Sequence, residues 1–146
     1  VNLAARLESA AKQYGAYIQI SEDTEKKLIP DTFIYRSLDT IRVIGKSLPV
    51  KTYELLEKTG CKEEDSLKIL VSTWEKARSH YLNMEWDKAI ELFTQCLDFE
   101  PHHPDRDPGS KTTPSHVYIK RCTAYKENPP VAPGEVWDGV FTATEK

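Results

Sequence analysis

Leu3, Leu7, Ala10, Ala11 and Tyr14 recur at spacings of three and four, the period of a helix with one buried face, and Gly15 stands where a left-handed C-terminal cap belongs. The spacing therefore predicts a helix over 1–14. Residues 17–20 read as a short strand. Ser21 is placed to cap a second helix over 22–29, whose acidic start and Lys26-Lys27 end suit the helix dipole before Pro30 stops it. Residues 33–43 and 50–56 are rich in β-branched and aromatic side chains and read as paired strands, with Gly45, Ser47 and Pro49 in their connection. The order is α-β-α-β-β. Roughly 60 residues of this kind bury little surface alone, and the first helix has no strand before it, so a partner segment is expected.

Beyond Gly60 the period becomes helical. Leu67, Ile69, Leu70, Trp74, Ala77 and Tyr81 mark a helix over 65–83, and Trp86, Ala89, Ile90, Phe93, Cys96 and Leu97 mark another that ends before Pro101. The three residues Asn83-Met84-Glu85 between them predict an αα-hairpin. Residues 101–109 are loop by composition, and a third helix is expected over 115–126. The tail carries Pro129, Pro130, Pro133 and Gly134, then the apolar pairs Val136-Trp137 and Val140-Phe141, expected to dock on the helices. The expectation is two parts, 1–58 and 62–146, the first a mixed α+β layer and the second a small all-α unit.

Charge sharpens this division. Through Gly60 there are nine basic and eight acidic residues, whereas the remainder has eleven and fifteen. A net charge of −3 argues against a dedicated nucleic-acid binder. No apolar run approaches the ~18–20 residues of a membrane span. Cys61, Cys96 and Cys122 are odd in number and widely spaced, which fits a reducing, cytoplasmic setting better than a disulfide framework. The chain opens on Val1-Asn2-Leu3, without Met or signal peptide and already in helix-like sequence, so it is expected to be a piece of something longer.

Candidate chemistry begins at Asn2 and Arg6. Four residues apart, they share one helix face, about 80–110° from the centre of the Leu3/Leu7/Tyr14 stripe. A carboxamide there can hydrogen-bond a ligand, and a guanidinium offers a planar fork to phosphate oxygens. By themselves such residues are more often a solvated polar face. The run Val1-Asn2-Leu3-Ala4-Ala5-Arg6-Leu7-Glu8 resembles the signature of class III nucleotidyl cyclases, the adenylate/guanylate cyclase catalytic domain, although the Gly-Asp that usually precedes it is not in this chain. The resemblance continues through Ile18-Gln19-Ile20-Ser21, Phe33, Arg36-Ser37-Leu38-Asp39, Arg42-Val43-Ile44-Gly45-Lys46-Ser47, Pro49-Val50 and Tyr53-Glu54-Leu55, over about residues 1–56.

The resemblance implies the C-terminal part of a ferredoxin-like cyclase sheet and a reaction that turns ATP or GTP into a 3′,5′-cyclic nucleotide and pyrophosphate. It implies two metal ions, Mg2+ or Mn2+, whose aspartate ligands lie outside this chain, as does the purine-reading pair. Asn2 would position the ribose, and Arg6 would stabilise charge gathering on the α-phosphoryl group. The site would form across a head-to-tail homodimer or with the missing N-terminal part of the domain, so the piece alone is expected to be inactive. Where the family often has Lys-Gly-Lys, this chain has Ile44-Gly45-Lys46. Lys46 either takes over contact with the triphosphate or is a solvated turn lysine. Arg42 reads as a strand-face charge, and Glu22, Asp23 and Glu25 as an acidic first turn rather than a metal site.

Ala77, Trp86, Ala89, Phe93, Cys96 and Pro101 resemble a tetratricopeptide unit in their offsets, and similar helical extensions follow the catalytic domain in some bacterial cyclases. The extension is expected either to cover the cyclase part or to recruit a protein partner. His102, His103, Asp105 and Asp107 sit among prolines and glycine and read as loop rather than metal ligands. The alternative to an enzyme is a non-catalytic cyclase-like dimerisation or regulatory module, favoured by Ile44 where a lysine is usual.

Overall fold

The computed structural model describes residues 12–42 and 48–142. The chain divides into two compact units, Val1–Glu64 with Val140–Lys146, and Asp65–Gly139. Together they make a mixed architecture, a four-stranded sheet with helices, of the α+β kind. Among the described residues no helix is long and apolar enough to cross a membrane.

In the first unit, residues 12–14 are helical and Gly15, at φ 73°, follows them. The rest of the helix expected over 1–14 lies outside the described residues. Strand β1 is Gln19–Ser21, helix α1 is Glu22–Lys26, β2 is Phe33–Arg42 and β3 is Val50–Lys58. Ser21 caps α1 by accepting from the Thr24 amide at 3.3 Å. The helix stops three residues short of the expected 29. Lys27 and Leu28 turn back onto the carbonyls of Thr24 and Glu25, and the ring of Pro30 disfavours a helical Ile29.

The sheet order is β1-β3-β2-β4, where β4 is Phe141–Thr142. β1 and β2 both pair antiparallel with β3, with Gln19 opposite Glu54 and Arg36 opposite Glu54. A bulge between Ser37 and Asp39 adds Leu38 to β2, so that Leu38 and Asp39 are both buried. Ile34, Arg36 and Leu38 alternate onto one buried face, and Tyr35 meets Tyr53 edge-on, with centroids 5.9 Å apart.

Arg36 and Glu54 form an ion pair inside this face, with Nη2 at 2.6 Å and Nε at 2.9 Å from the same carboxylate oxygen. Their side chains are 0% and 2% exposed. Beside them Asp39 accepts from the Tyr14 hydroxyl and from the Thr40 amide, and its carbonyl accepts from Thr52. The polar groups of two strands and the helical residues before Gly15 are thus satisfied by one another, as burial demands.

β4 corrects the reading of the tail. Val140-Phe141 was expected on the helices, yet Phe141 pairs with Ile41 and Thr142 with Arg42, parallel to β2. The side of β2 away from β3 is a sheet edge whose backbone groups need partners, and two extended residues supply them. An apolar pair is too short to show either period, so the sequence gives no sign of which surface it joins.

The second unit contains α2 (Glu64–Leu82, its first residue in the sheet unit), α3 (Trp86–Cys96), a 3-10 turn at Leu97–Phe99 and α4 (Pro114–Glu127). Leu67, Leu70, Trp74, Ala77, Arg78 and Tyr81 are the buried stripe of α2. Trp74 meets Phe93 of α3 and Tyr118 of α4 edge-on at 5.0 and 5.1 Å. The three-residue turn is as expected, with Met84 left-handed at φ 60° and the Glu85 amide bonded to the His80 carbonyl at 2.9 Å. Thr113 caps α4, and Pro114 occupies its first turn, where a missing amide costs nothing.

Removing one partner of the buried pair takes from the other charge its bond inside the sheet. Glu54→Ala is expected to cost about 3–5 kcal/mol in denaturant unfolding, while the double variant Arg36→Met, Glu54→Leu regains most of that loss. A single variant within about 1 kcal/mol of the parent would show that the pair is not what holds β2 to β3.

Candidate functional site

The three residues carrying the candidate chemistry, Asn2, Arg6 and Lys46, lie outside the described residues, as do Ile44 and Gly45. The described residues adjoin them in sequence. Lys46 belongs in sequence to the stretch between β2 and β3, whose last described pair is Ile41 with Val50. Three of the blocks that carry the resemblance, at residues 18–21, 36–39 and 53–55, fall on neighbouring strands. Gln19, Glu54 and Arg36 stand in one row across β1, β3 and β2, and cross-strand partners share a face.

The Gln19 end of this row differs from the other two. Both polar atoms of its side chain are buried without a hydrogen-bond partner. Tyr14 is tied to Asp39 on the same sheet, which fixes the helical residues 12–14 against β2. Arg42 closes β2 in register with Thr142, as its reading as a strand charge requires.

The acidic residues of α1 have structural work. Glu22 lies 3.8 Å from Lys51, and Glu25 accepts from the Tyr35 hydroxyl at 2.6 Å. That bond, with burial behind it, pushes the Tyr35 phenol up to about 12, so it keeps its proton at neutral pH. Both side chains line a cavity of about 340 Å3 with Lys26, Leu28, Ile29, Pro30, Asp31 and Phe33. Two of its titratable walls, Glu25 and Tyr35, are committed to one another, an arrangement that suits packing better than proton transfer. Among the described residues no group of three His, Cys, Asp or Glu could hold a metal ion.

In the helical unit the histidine loop is bonded within itself. His102 pairs with Asp107 at 3.0 Å, His103 accepts from the Asp105 amide, and Arg106 donates to the carbonyls of Leu97 and Glu100. Glu100 is buried, and its carboxylate accepts the amide and hydroxyl of Ser115 in the first turn of α4. Burial there, followed by the charge of His103, holds the His116 imidazole below its ordinary value, against the pull of Glu100 and Asp105. Burial pushes the Cys122 thiol up to about 12, which leaves it a packing residue. A second cleft of about 320 Å3 runs past Met84, Trp86 and Lys88, with Lys126 paired to Asp87 at 2.7 Å.

Two features escaped the sequence reading: the Arg36–Glu54 pair and β4. The first had a signal. Arg36 sits between Ile34 and Leu38 at a spacing of two, on the side of the strand that alternation assigns to the core. The second had none.

No family model matches the chain, and no solved structure matches it. The chain is 29% identical over 126 residues to the terminal-differentiation-specific adenylate cyclase of Dictyostelium discoideum. The match takes in 84% of this chain but only 5% of that protein, so the chain spans a small part of its relative's length. This supports a relationship to a cyclase, and a match of that extent includes parts of both compact units.

The depressed pKa of His116 has a sign that can be checked. The unfolded imidazole takes a proton near its ordinary value of 6.5 while the folded one resists it, so stability is complete above that pH and falls as pH drops through it. His116→Gln is expected to flatten this part of the profile in denaturant unfolding at pH 7.5 and 5.5. An unchanged slope would remove His116 as its source.

Proposed function

We propose that this chain is the C-terminal part of a class III nucleotidyl cyclase domain joined to a tetratricopeptide-like helical extension. In the intact protein it converts ATP or GTP to the 3′,5′-cyclic nucleotide and pyrophosphate. The observation that carries this reading is the similarity to an adenylate cyclase over 84% of the chain. The sheet adds support, because three separate blocks of the resemblance meet in the row Gln19, Glu54, Arg36.

In this reading the 3′-oxygen of the ribose attacks the α-phosphorus and pyrophosphate leaves. Asn2 holds the ribose so that the oxygen is in line, and the Arg6 guanidinium meets the negative charge that grows on the α-phosphoryl oxygens. Lys46 contacts the triphosphate. The Mg2+ or Mn2+ ions of this reaction class would be held by aspartates outside this chain, as the resemblance implies. The remaining parts come from a second copy or from the rest of the same domain, and the helical extension offers a surface to a protein partner.

Ile44 favours a second reading, in which the sheet has lost catalysis and serves as a dimerisation or regulatory module. The two diverge at Arg6. In the intact polypeptide that carries this chain, Arg6→Ala is expected to lower cyclic nucleotide formation by about 10²–10³-fold while KM for the triphosphate changes far less. Undiminished turnover in that variant removes Arg6 from the chemistry and leaves the module reading.

A further inference from the structure

We propose that residues 100–116 form an acid-released clasp, in which the neutral His116 ring locks the cap of α4 and frees it on taking a proton. The amide donors at the start of α4 are all assigned. Pro114 has none, and Ser115 donates to the Glu100 carboxylate. His116 donates to the Thr113 hydroxyl oxygen at 3.3 Å, and Val117 to the Thr113 carbonyl at 3.1 Å. The turn is therefore held by two residues that precede it, Glu100 and Thr113. Thr113 is itself held by the helix it caps, because its hydroxyl lies 2.8 Å from Nδ1 of the His116 ring. The loop is tied in by His103, whose ring centroid is 5.0 Å from that of His116. Nδ1 of His103 accepts the Asp105 amide at 3.1 Å, and its carbonyl accepts the amides of Arg106 and Asp107 at 2.8 and 2.9 Å.

The direction of the Thr113–His116 bond fixes the charge of the ring. Thr113 is 0% exposed, and among the described residues Nδ1 of His116 is the one acceptor that its hydroxyl proton reaches. The hydroxyl therefore donates, Nδ1 is bare, and the ring is neutral with its proton on Nε2. A further proton would turn Nδ1 into a donor. The Thr113 oxygen would then receive two N–H groups while its own proton, shut off from water, met nothing. The charged ring would also stand in the first turn of a 14-residue helix, where the dipole opposes a cation. The charges that face it are His103 and the carboxylates of Glu100 and Asp105. Asp105 is 87% exposed and Glu100 is already engaged with Ser115, so burial and His103 outweigh them. Protonation thus undoes the lock locally, at the loop and the start of α4.

The clasp goes beyond the proposed function and is read without it, by amide exchange in the full chain. Above pH 6.5 the closed form is favoured in full. Below it the released ring takes a proton that the seated one resists, so opening grows as pH falls. Between pH 7.5 and 5.5 the amides of residues 106, 107, 116 and 117 are expected to lose up to about tenfold in protection, each rate set against that of an unstructured peptide at the same pH. Their exchange is expected to ignore dilute denaturant, as a local opening does, whereas that of residues 74–81 follows it. In His116→Gln the side-chain oxygen still accepts from Thr113 but takes no proton, so protection is expected to be equal at the two pH values. Equal protection in the parent overturns the clasp. So does an acid loss that persists in His116→Gln, or exchange at 106, 107, 116 and 117 that follows denaturant as steeply as at 74–81. Should the variant fail to fold, the imidazole nitrogen resonances of the parent decide. At pH 7.5 Nδ1 of His116 is expected to carry no proton, and a protonated Nδ1 overturns the proposal. Cyclic nucleotide formation plays no part in these readouts, so the clasp and the enzymatic reading fail separately.

Discussion

Arg36 and Glu54 face each other across β2 and β3 with almost no exposure to water, and the arrangement of the sheet unit follows from that. Two charges are tolerable there only while each satisfies the other, which fixes the register of the two strands more strictly than apolar side chains would. A slip of one residue would send both charges to the opposite face. Asp39 extends the same logic outward by accepting from Tyr14, so the helical residues before Gly15 are registered against the sheet by a hydrogen bond as well as by packing. The segment preceding them in sequence carries Asn2 and Arg6, the residues on which the proposed chemistry depends.

The helical unit is held differently. Its centre is a set of rings, Trp74, Phe93, Tyr118 and Tyr81, contributed by three helices and meeting edge-on or tilted at about 5 Å. Arg78 donates to the Tyr118 hydroxyl at 2.8 Å, and the Arg121 guanidinium lies over the same ring, so Tyr118 is fixed by both its polar tip and its face. Other buried polar groups of this unit cap α4, as Glu100 with Ser115 and Thr113 with His116 show.

Much of the element order is legible in the amino-acid sequence, because strong periodicity and strong stop signals coincide. Trp74 to Tyr81 and Ala89 to Cys96 mark their helices by spacing, and Pro30, Gly60 and Pro101 mark boundaries. What failed to show were features set by tertiary neighbours. Helix α1 ended early because local turn bonds won over its charge pattern, and Phe141 joined a sheet edge that lies far away in sequence. The candidate site was legible only as a motif, since Asn2 and Arg6 look like any polar face until the collinear blocks after them are considered. Arg36 and Glu54 were legible in principle from alternation, but a buried charge is too rare an event to read without its partner in view.

We propose that the intact polypeptide carrying this chain closes a nucleoside triphosphate into a 3′,5′-cyclic nucleotide. The most direct measurement supplies the intact polypeptide with ATP and with GTP, each with Mg2+ or Mn2+, and quantifies both products. The account predicts a 3′,5′-cyclic nucleotide and pyrophosphate in equal amounts from one of the two substrates. A folded protein that yields neither product from either triphosphate contradicts it.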